Sequence, residues 1–198
     1  MAYHHPMLIL KNKRFLLAGA LVLIGLAGLA WAAQKHGHRG HHHNGAGHDE
    51  VNMPGLRGVD TTAAEVDDMK KMFRQHGAIQ RTVVNLPNGV RTTTESADPE
   101  LRAAVVAHVV GMIARVEAGR DPQVLIQSPT LDAVFKGRDR IQTELTMTAQ
   151  GVQVVQTSSD PALVKVLQVH AAEVSDMAAR GMAAVHERMA STSRPHGR

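Results

Sequence analysis

The sequence contains no cysteine, and aromatic residues make up only 3% of its 198 residues. The absence of cysteine excludes disulfides, thiolate metal sites, covalent haem attachment and a cysteine nucleophile. Any metal must therefore be held by histidine, methionine, carboxylate or backbone groups. Because aromatic residues are scarce, the core must be built from Val, Leu, Ile, Ala and the ten Met.

A concentrated patch of positive charge is also missing, although the pI is about 9.8. Three of the 22 basic residues, Lys11, Lys13 and Arg14, precede the first apolar run, and the other 19 stand among 18 acidic residues. These charges are interspersed and have no aromatic side chains beside them on which bases could stack. The pattern therefore argues against nucleic-acid binding.

Residues 11–33 have the pattern of an export signal. The basic stretch "KNKR" precedes an apolar run of about 19 residues, "FLLAGALVLIGLAGLAWAA". Ala30-Trp31-Ala32 matches the small-x-small cleavage pattern, yet the run is also long enough to span a bilayer. A cleaved signal peptide and an N-terminal anchor (residues 1–33) both stay open. Either one predicts that the rest of the chain is periplasmic, soluble or anchored to the inner membrane.

Residues 34–60 are rich in Gly and His and show no apolar periodicity, which predicts a disordered tether. Imidazole is a preferred ligand for Cu, Ni and Zn. The tether is therefore predicted to collect metal ions, and a polar spacer without a metal role is the alternative. Its six candidate ligands are His36, His38, His41, His42, His43 and His48. A disordered tail is predicted over 191–198.

Local signals predict the secondary structure of residues 61–190. Thr62 and Glu65 match a capping box that begins a helix over about 61–76. The stretch "IQRTVVNLPNGVRTTTE" is typical of a β-hairpin, because Asn-Gly separates two runs rich in Val and Thr. Asp98-Pro99 then begin a long helix that ends at Gly119. The following linker ends in a second predicted helix cap, Ser128-Pro129.

The same pattern recurs 62 residues later. Of the 47 positions from 73 to 119, 11 are identical to the residue 62 positions further on, against roughly three expected from composition. The matched positions include the Asp-Pro caps, the hairpin Gly-Val pairs, and His108 with His170. An internal duplication is therefore predicted, with repeat one at 66–119 and repeat two at 128–181.

These elements predict an α+β fold. A hairpin alone is marginally stable in water, so the two hairpins are expected to pair into a four-stranded antiparallel sheet. Both long helices would cross one face of that sheet, and the two (α)ββα repeats would be related by a pseudo-twofold axis. Six side chains are predicted to face the helices: Ile79, Val83, Val90, Ile141, Leu145 and Val152.

His108 and His170 lie in the middle of the apolar stripes of the two long helices. A buried imidazole is costly without a partner. The pair is therefore predicted to face each other and hold a transition metal (Cu or Zn) or a non-covalent haem. Met112, Met177 and His76 are candidate further ligands. The alternative is that both histidines are satisfied core residues and that the methionines fill the core.

No catalytic signature is present: the chain has no Gly-rich phosphate loop, no G-x-S-x-G and no H-E-x-x-H. No catalytic residue is therefore predicted. A binding protein is favoured, with a non-catalytic structural or interaction domain as the alternative and a periplasmic enzyme of unknown type as the second alternative.

The segments "TTTESADPELRAAVVAHVVGMIARV" and "VVQTSSDPALVKVLQVHAAEVSDMAARGM" resemble exported proteobacterial proteins with duplicated hairpin–Asp-Pro–helix–His units. The resemblance covers about residues 66–190 and implies no established activity. Relatives of the unit occur beside c-type cytochrome domains. The resemblance therefore implies haem, copper or redox work, with a c-type cytochrome or another periplasmic redox protein as a partner.

Overall fold

The computed structural model describes residues 53–192, and this part of the chain has an α+β fold with one four-stranded antiparallel sheet and five helices. The export segment at 11–33 and the six tether histidines lie outside the described residues. Within 53–192, none of the helices combines the length and the apolar character needed to cross a bilayer.

The described residues form five α-helices. They are α1 (Ala63–Arg74), α2 (Pro99–Ala118), α3 (Leu131–Gly137), α4 (Pro161–Arg180) and α5 (Met182–Thr192). Helices α1 and α2 begin at the predicted capping residues. The capping box of α1 is present, since Thr62 Oγ1 accepts from the Glu65 N–H at 3.2 Å and Glu65 Oε2 accepts from the Thr62 N–H at 2.8 Å. Asp98 caps α2 by accepting from the Leu101 N–H at 2.7 Å, and Gly119 ends it with a left-handed φ of 66°. These predictions are confirmed.

The four strands are β1 (Gln80–Leu86), β2 (Gly89–Glu95), β3 (Gln142–Met147) and β4 (Gly151–Thr157), in the order β1-β2-β4-β3. The two hairpins therefore meet at β2 and β4. Their first residues must be glycine, because a Cβ at Gly89 would overlap the Gln156 carbonyl and a Cβ at Gly151 would overlap the Thr94 carbonyl. The predicted four-stranded antiparallel sheet is confirmed.

Helices α2 and α4 pack on the same face of the sheet, α4 over β1 and β2 and α2 over β2 and β4. The side chains predicted to face them do so: three are buried and three are partly buried against the core, namely Val90, Ile141, Val152 and Ile79, Val83, Leu145. The other face of the sheet meets solvent, and Arg91 and Val84 are exposed there.

The end of the predicted tether is not disordered. Met53 and Leu56 are 7% and 1% exposed and pack in a core cluster with Val66, Val124 and Val185. Most of the Gly and His residues of 34–60 precede residue 53. The composition of the whole segment therefore predicted disorder, although Met53 and Leu56 at its end belong to the core. Residues 191 and 192, which were predicted to belong to the tail, are the last residues of α5.

An ion-pair cluster also orders residues 57–62. The side chain of Arg115 on α2 is only 5% exposed and donates to Asp60 Oδ1 at 2.6 Å and to Glu65 Oε1 at 2.7 Å. The hydrogen bonds from Arg115 lower the pKa of Glu65 to about 2. The cluster thus links the segment before α1, and α1 itself, to helix α2.

Candidate binding cavity

A partly enclosed cavity of about 220 Å³ lies between the helix-facing side of the sheet and helices α1, α2 and α4. Its wall is mainly apolar and includes Met112, Val116, Leu131, Val134, Val154 and Met177. Its polar side chains include Arg81, Thr92, Thr94, His108, Gln156 and His170. A concave apolar wall with a few polar groups is the usual form of a small-ligand site. Since a cavity of about 150 Å³ holds benzene, the volume corresponds to a ligand of about nine non-hydrogen atoms.

Helix α2 brings His108 to this cavity. The residue lies deep in the fold, yet part of its surface stays accessible because it borders the cavity. Burial lowers the pKa of His108 to about 4, although the negative charge of Glu65 opposes this. The imidazole is therefore neutral at pH 7. Neither ring nitrogen has a hydrogen-bond partner among residues 53–192, so both are available to a molecule in the cavity.

The Nδ1 side of the His170 ring, on α4, is hydrogen-bonded to Ser128. Its Nδ1 lies 2.9 Å from Ser128 Oγ, and Ser128 Oγ also contacts the carboxylate of Glu173. Burial raises the pKa of Glu173, but the hydrogen bonds from Ser128 and Thr130 outweigh burial and lower it. The ionised Glu173 can only accept, so the single hydroxyl proton of Ser128 goes to it.

It follows that His170 donates its Nδ1–H to Ser128 and keeps Nε2 as an unprotonated acceptor. Burial lowers the pKa of His170 to about 4, and the nearby charge of Arg81 adds to that lowering. Nε2 has no hydrogen-bond partner within the described part of the chain. The residue therefore offers one fixed lone pair on the side of the ring opposite Ser128.

Ser128 does not have the predicted capping role. The residue that precedes α3 is Thr130, and it makes no side-chain cap. Ser128 is 2% exposed, its hydroxyl donates to the carboxylate of Glu173, and its oxygen lies 2.9 Å from His170 Nδ1. Nor is Ser128 arranged as a nucleophile, since its proton is directed to the carboxylate and not to the imidazole.

Four of the five predicted ligands in the folded domain line this one cavity: His108, His170, Met112 and Met177. Both methionines also pack against core clusters. His76 is placed elsewhere, where the chain passes between α1 and β1, and its ring lies against Gly181 at the end of α4. Within residues 53–192, no group of three or more His, Asp or Glu side chains is arranged to hold a metal ion.

Sequence reasoning missed Arg81, which lines the cavity from β1. Its Nη1 donates to Thr94 Oγ1 at 2.5 Å and its Nε donates to Ser175 Oγ at 3.2 Å. None of the carboxylates in the described residues forms an ion pair with it. Burial lowers its pKa to about 10. The signal was in the strand alternation, because Arg81 lies between Ile79 and Val83 and must share their side of the sheet.

Fold and cavity together define the class: an α+β protein with a ligand-sized cavity between one antiparallel sheet and its helices. Comparison with known proteins adds no closer assignment, since no family model, no curated protein and no solved structure matches the chain. The resemblance to exported proteobacterial proteins therefore stays a prediction. Function has to be argued from the cavity.

Proposed function

We propose that residues 53–192 form a non-catalytic binding module that holds a small ligand in the cavity, against His108 and His170. One observation carries the proposal: two neutral imidazoles from different helices border a single ligand-sized cavity. A neutral imidazole with a free nitrogen either hydrogen-bonds a ligand or coordinates a metal. The hydrogen bond from His170 to Ser128 supports this role by fixing which nitrogen is free.

A single transition-metal ion is the second candidate. Imidazole and thioether ligands together suit Cu(I), and both kinds line the cavity. The chain His170–Ser128–Glu173 also resembles the outer hydrogen bonds that orient metal-binding histidines. The positive charge of Arg81 in the same cavity opposes a cation. The size of the cavity does not fit haem, whose macrocycle has far more than about nine non-hydrogen atoms.

The cellular location, the histidine tether and the partner of the module are part of the same proposal. The export segment would place it in the periplasm, free or anchored to the inner membrane, where the histidine tether collects metal ions and a c-type cytochrome or another redox protein is a partner. The duplication and its pseudo-twofold axis are proposed as the origin of the site. Their support is the sheet order β1-β2-β4-β3, in which the corresponding strands occupy corresponding positions.

The proposal is tested on the full chain with the six tether histidines replaced by Gln, which removes their metal binding. This protein is titrated with Cu(I), with Zn(II) and with small neutral and charged molecules of up to about ten non-hydrogen atoms. Binding is followed by metal stoichiometry, unfolding temperature and the NMR signals of the histidine rings. We expect one equivalent of one ligand class to bind, and His108→Ala/His170→Ala to lose it.

A second variant separates the cavity from the histidines. Ala171 lines the cavity and is 2% exposed, so Ala171→Leu should occupy part of the space and keep both imidazoles in the chain. We expect it to abolish binding of a small molecule. If the parent binds nothing and the histidine variants only lose stability, the histidines are core residues and the structural or interaction alternative holds.

A further inference from the structure

We propose that the cavity selects a small monocarboxylate, whose carboxylate group pairs with Arg81 and whose apolar remainder fills the space beside His108 and His170. This inference rests on the proposed binding function and names the class of ligand that the same site takes. Three observations carry it: an arginine without a counterion, the absence of negative charge in the cavity wall, and the size and apolar character of that wall.

The first observation is the contrast between two guanidinium groups, that of Arg115, which is buried, and that of Arg81, which is partly buried. Arg115 is surrounded by two carboxylates, those of Asp60 and Glu65. Arg81 donates only to the hydroxyl oxygens of Thr94 and Ser175. A guanidinium carries five N–H donors, so most of the donors of Arg81 are left for a further partner. Since even partial burial of a charge without a counterion is unfavourable, an anion in the cavity would complete the site.

The second observation is the charge of the wall. His108 and His170 are neutral at pH 7, because burial holds the pKa of each near 4. No Asp or Glu is among the cavity-lining residues. Glu173, the carboxylate that interacts with His170, is already engaged by Ser128 and Thr130. The cavity therefore carries one positive charge and no negative one, which favours a monoanion over a cation.

The third observation concerns shape. A guanidinium binds a carboxylate through two parallel hydrogen bonds, and Thr94 and Ser175 hold two nitrogens of Arg81 in place for such a pairing. Beyond this polar corner the wall is formed by side chains such as Met112, Val134 and Val154. These offer van der Waals contact but no donors for a more highly charged anion. An acid of about nine non-hydrogen atoms fits the volume, and benzoate and hexanoate are of this size.

The test compares each acid with its neutral amide, which has the same shape and lacks the charge. The full chain with the tether histidines replaced is titrated calorimetrically with benzoate, benzamide, hexanoate and hexanamide. We expect at least one acid to bind about tenfold or more tightly than its amide, as hydrogen bonds to charged groups outweigh neutral ones by that factor or more. Arg81→Gln should remove the preference. Arg91→Gln is the matched control, because Arg91 is exposed on the other face of the same sheet.

Equal affinity for acid and amide would overturn the inference and leave the binding function standing. Failure of all four probes to bind the folded protein would overturn the inference, and the binding function would then be decided by the titrations with Cu(I), Zn(II) and other small molecules. A preference that persists in Arg81→Gln would show that another group receives the carboxylate. The acid–amide comparison is made in the unaltered cavity, so it decides the question even if Arg81→Gln does not fold.

Discussion

Lowering the pH from 7 to 5 is expected to destabilise the fold through His108 and His170. Each has a pKa of about 4 when folded, against an ordinary value of 6.5. The unfolded chain therefore takes up protons at a higher pH than the folded one. The stability that these residues contribute is fully present above pH 6.5 and is lost as the pH falls from 6.5 towards 4.

The size of the effect follows from the two pKa values. At pH 5 a histidine with an unfolded pKa of 6.5 is almost fully protonated in the unfolded chain, and one with a folded pKa of about 4 is almost neutral. By proton linkage this difference costs about 2 kcal/mol for each histidine, or about 4 kcal/mol for both. Glu65 contributes only about 0.2 kcal/mol in this window, because its pKa of about 2 keeps it ionised in the folded state and its unfolded value of 4.5 lies below pH 5.

The free energy of unfolding would be measured by urea titration of the full chain at pH 7 and at pH 5, with far-UV circular dichroism as the signal. The comparison is with His108→Gln, His170→Gln and the double variant, in which the amide stays neutral at both pH values. Each single variant should lose about half of the wild-type difference between the two pH values, and the double variant should lose nearly all of it.

The double variant also provides the refutation. If it loses as much stability between pH 7 and pH 5 as the wild-type chain does, the two imidazoles are not held neutral by burial. The cavity would then be open to water at both residues, and the physical basis of the proposed site would be gone. The tether histidines do not confuse this result, because they are common to all four proteins.

Three further predictions concern stability. Arg115→Ala should lower the free energy of unfolding by about 2 kcal/mol or more. Arg120 also pairs with Asp60, but its side chain is 57% exposed, so Arg120→Ala should change the free energy of unfolding by less than about 0.5 kcal/mol. Urea titration measures both changes. Leu167→Ala, at 0% exposure in the core cluster of α4, should cost about 3 kcal/mol in the same assay. Val110→Ala, at 45% exposure, should cost less than about 0.5 kcal/mol, and a large loss there would indicate a buried partner for that surface.

Most of the fold was predictable because its signals are local. The capping box at Thr62, the Asp98 cap, the Gly119 stop and the Asn-Gly hairpin each act within a few residues, and each is found where expected. Hairpin pairing then followed from the need to bury one apolar face. The prediction was wrong for residues 53–60, since Met53 and Leu56 are buried by contacts with residues far along the chain.

The candidate site was predictable only in part, for the same reason. Helical spacing placed His108 and His170 on the buried faces of α2 and α4, and both reach one cavity. The cavity itself is a gap between several helices and strands, and the hydrophobic periodicity of a single element gives no information about such a gap. The role of Ser128 depends on Glu173, 45 residues away in sequence, and is equally invisible to local patterns. The inward position of Arg81 followed from alternation, but its lack of a counterion became visible only in three dimensions.

The polar and charged side chains that border the cavity are themselves an argument for a ligand. Five polar side chains, Thr94, Ser96, Arg115, Ser128 and Ser158, are among the most buried in the described structure, and each has a hydrogen-bond partner. His76 has an unpartnered Nδ1 beside Gly181, and it does not line the cavity. Arg81, which has no counterion among the described residues, and the neutral His108 both border the cavity. A fold that keeps such groups around one space gives up stability that a bound molecule restores. A ligand at one hundred times its dissociation constant adds about 2.7 kcal/mol to the free energy of unfolding, so the unfolding temperature should rise with a carboxylate ligand in the wild-type chain and not in Arg81→Gln.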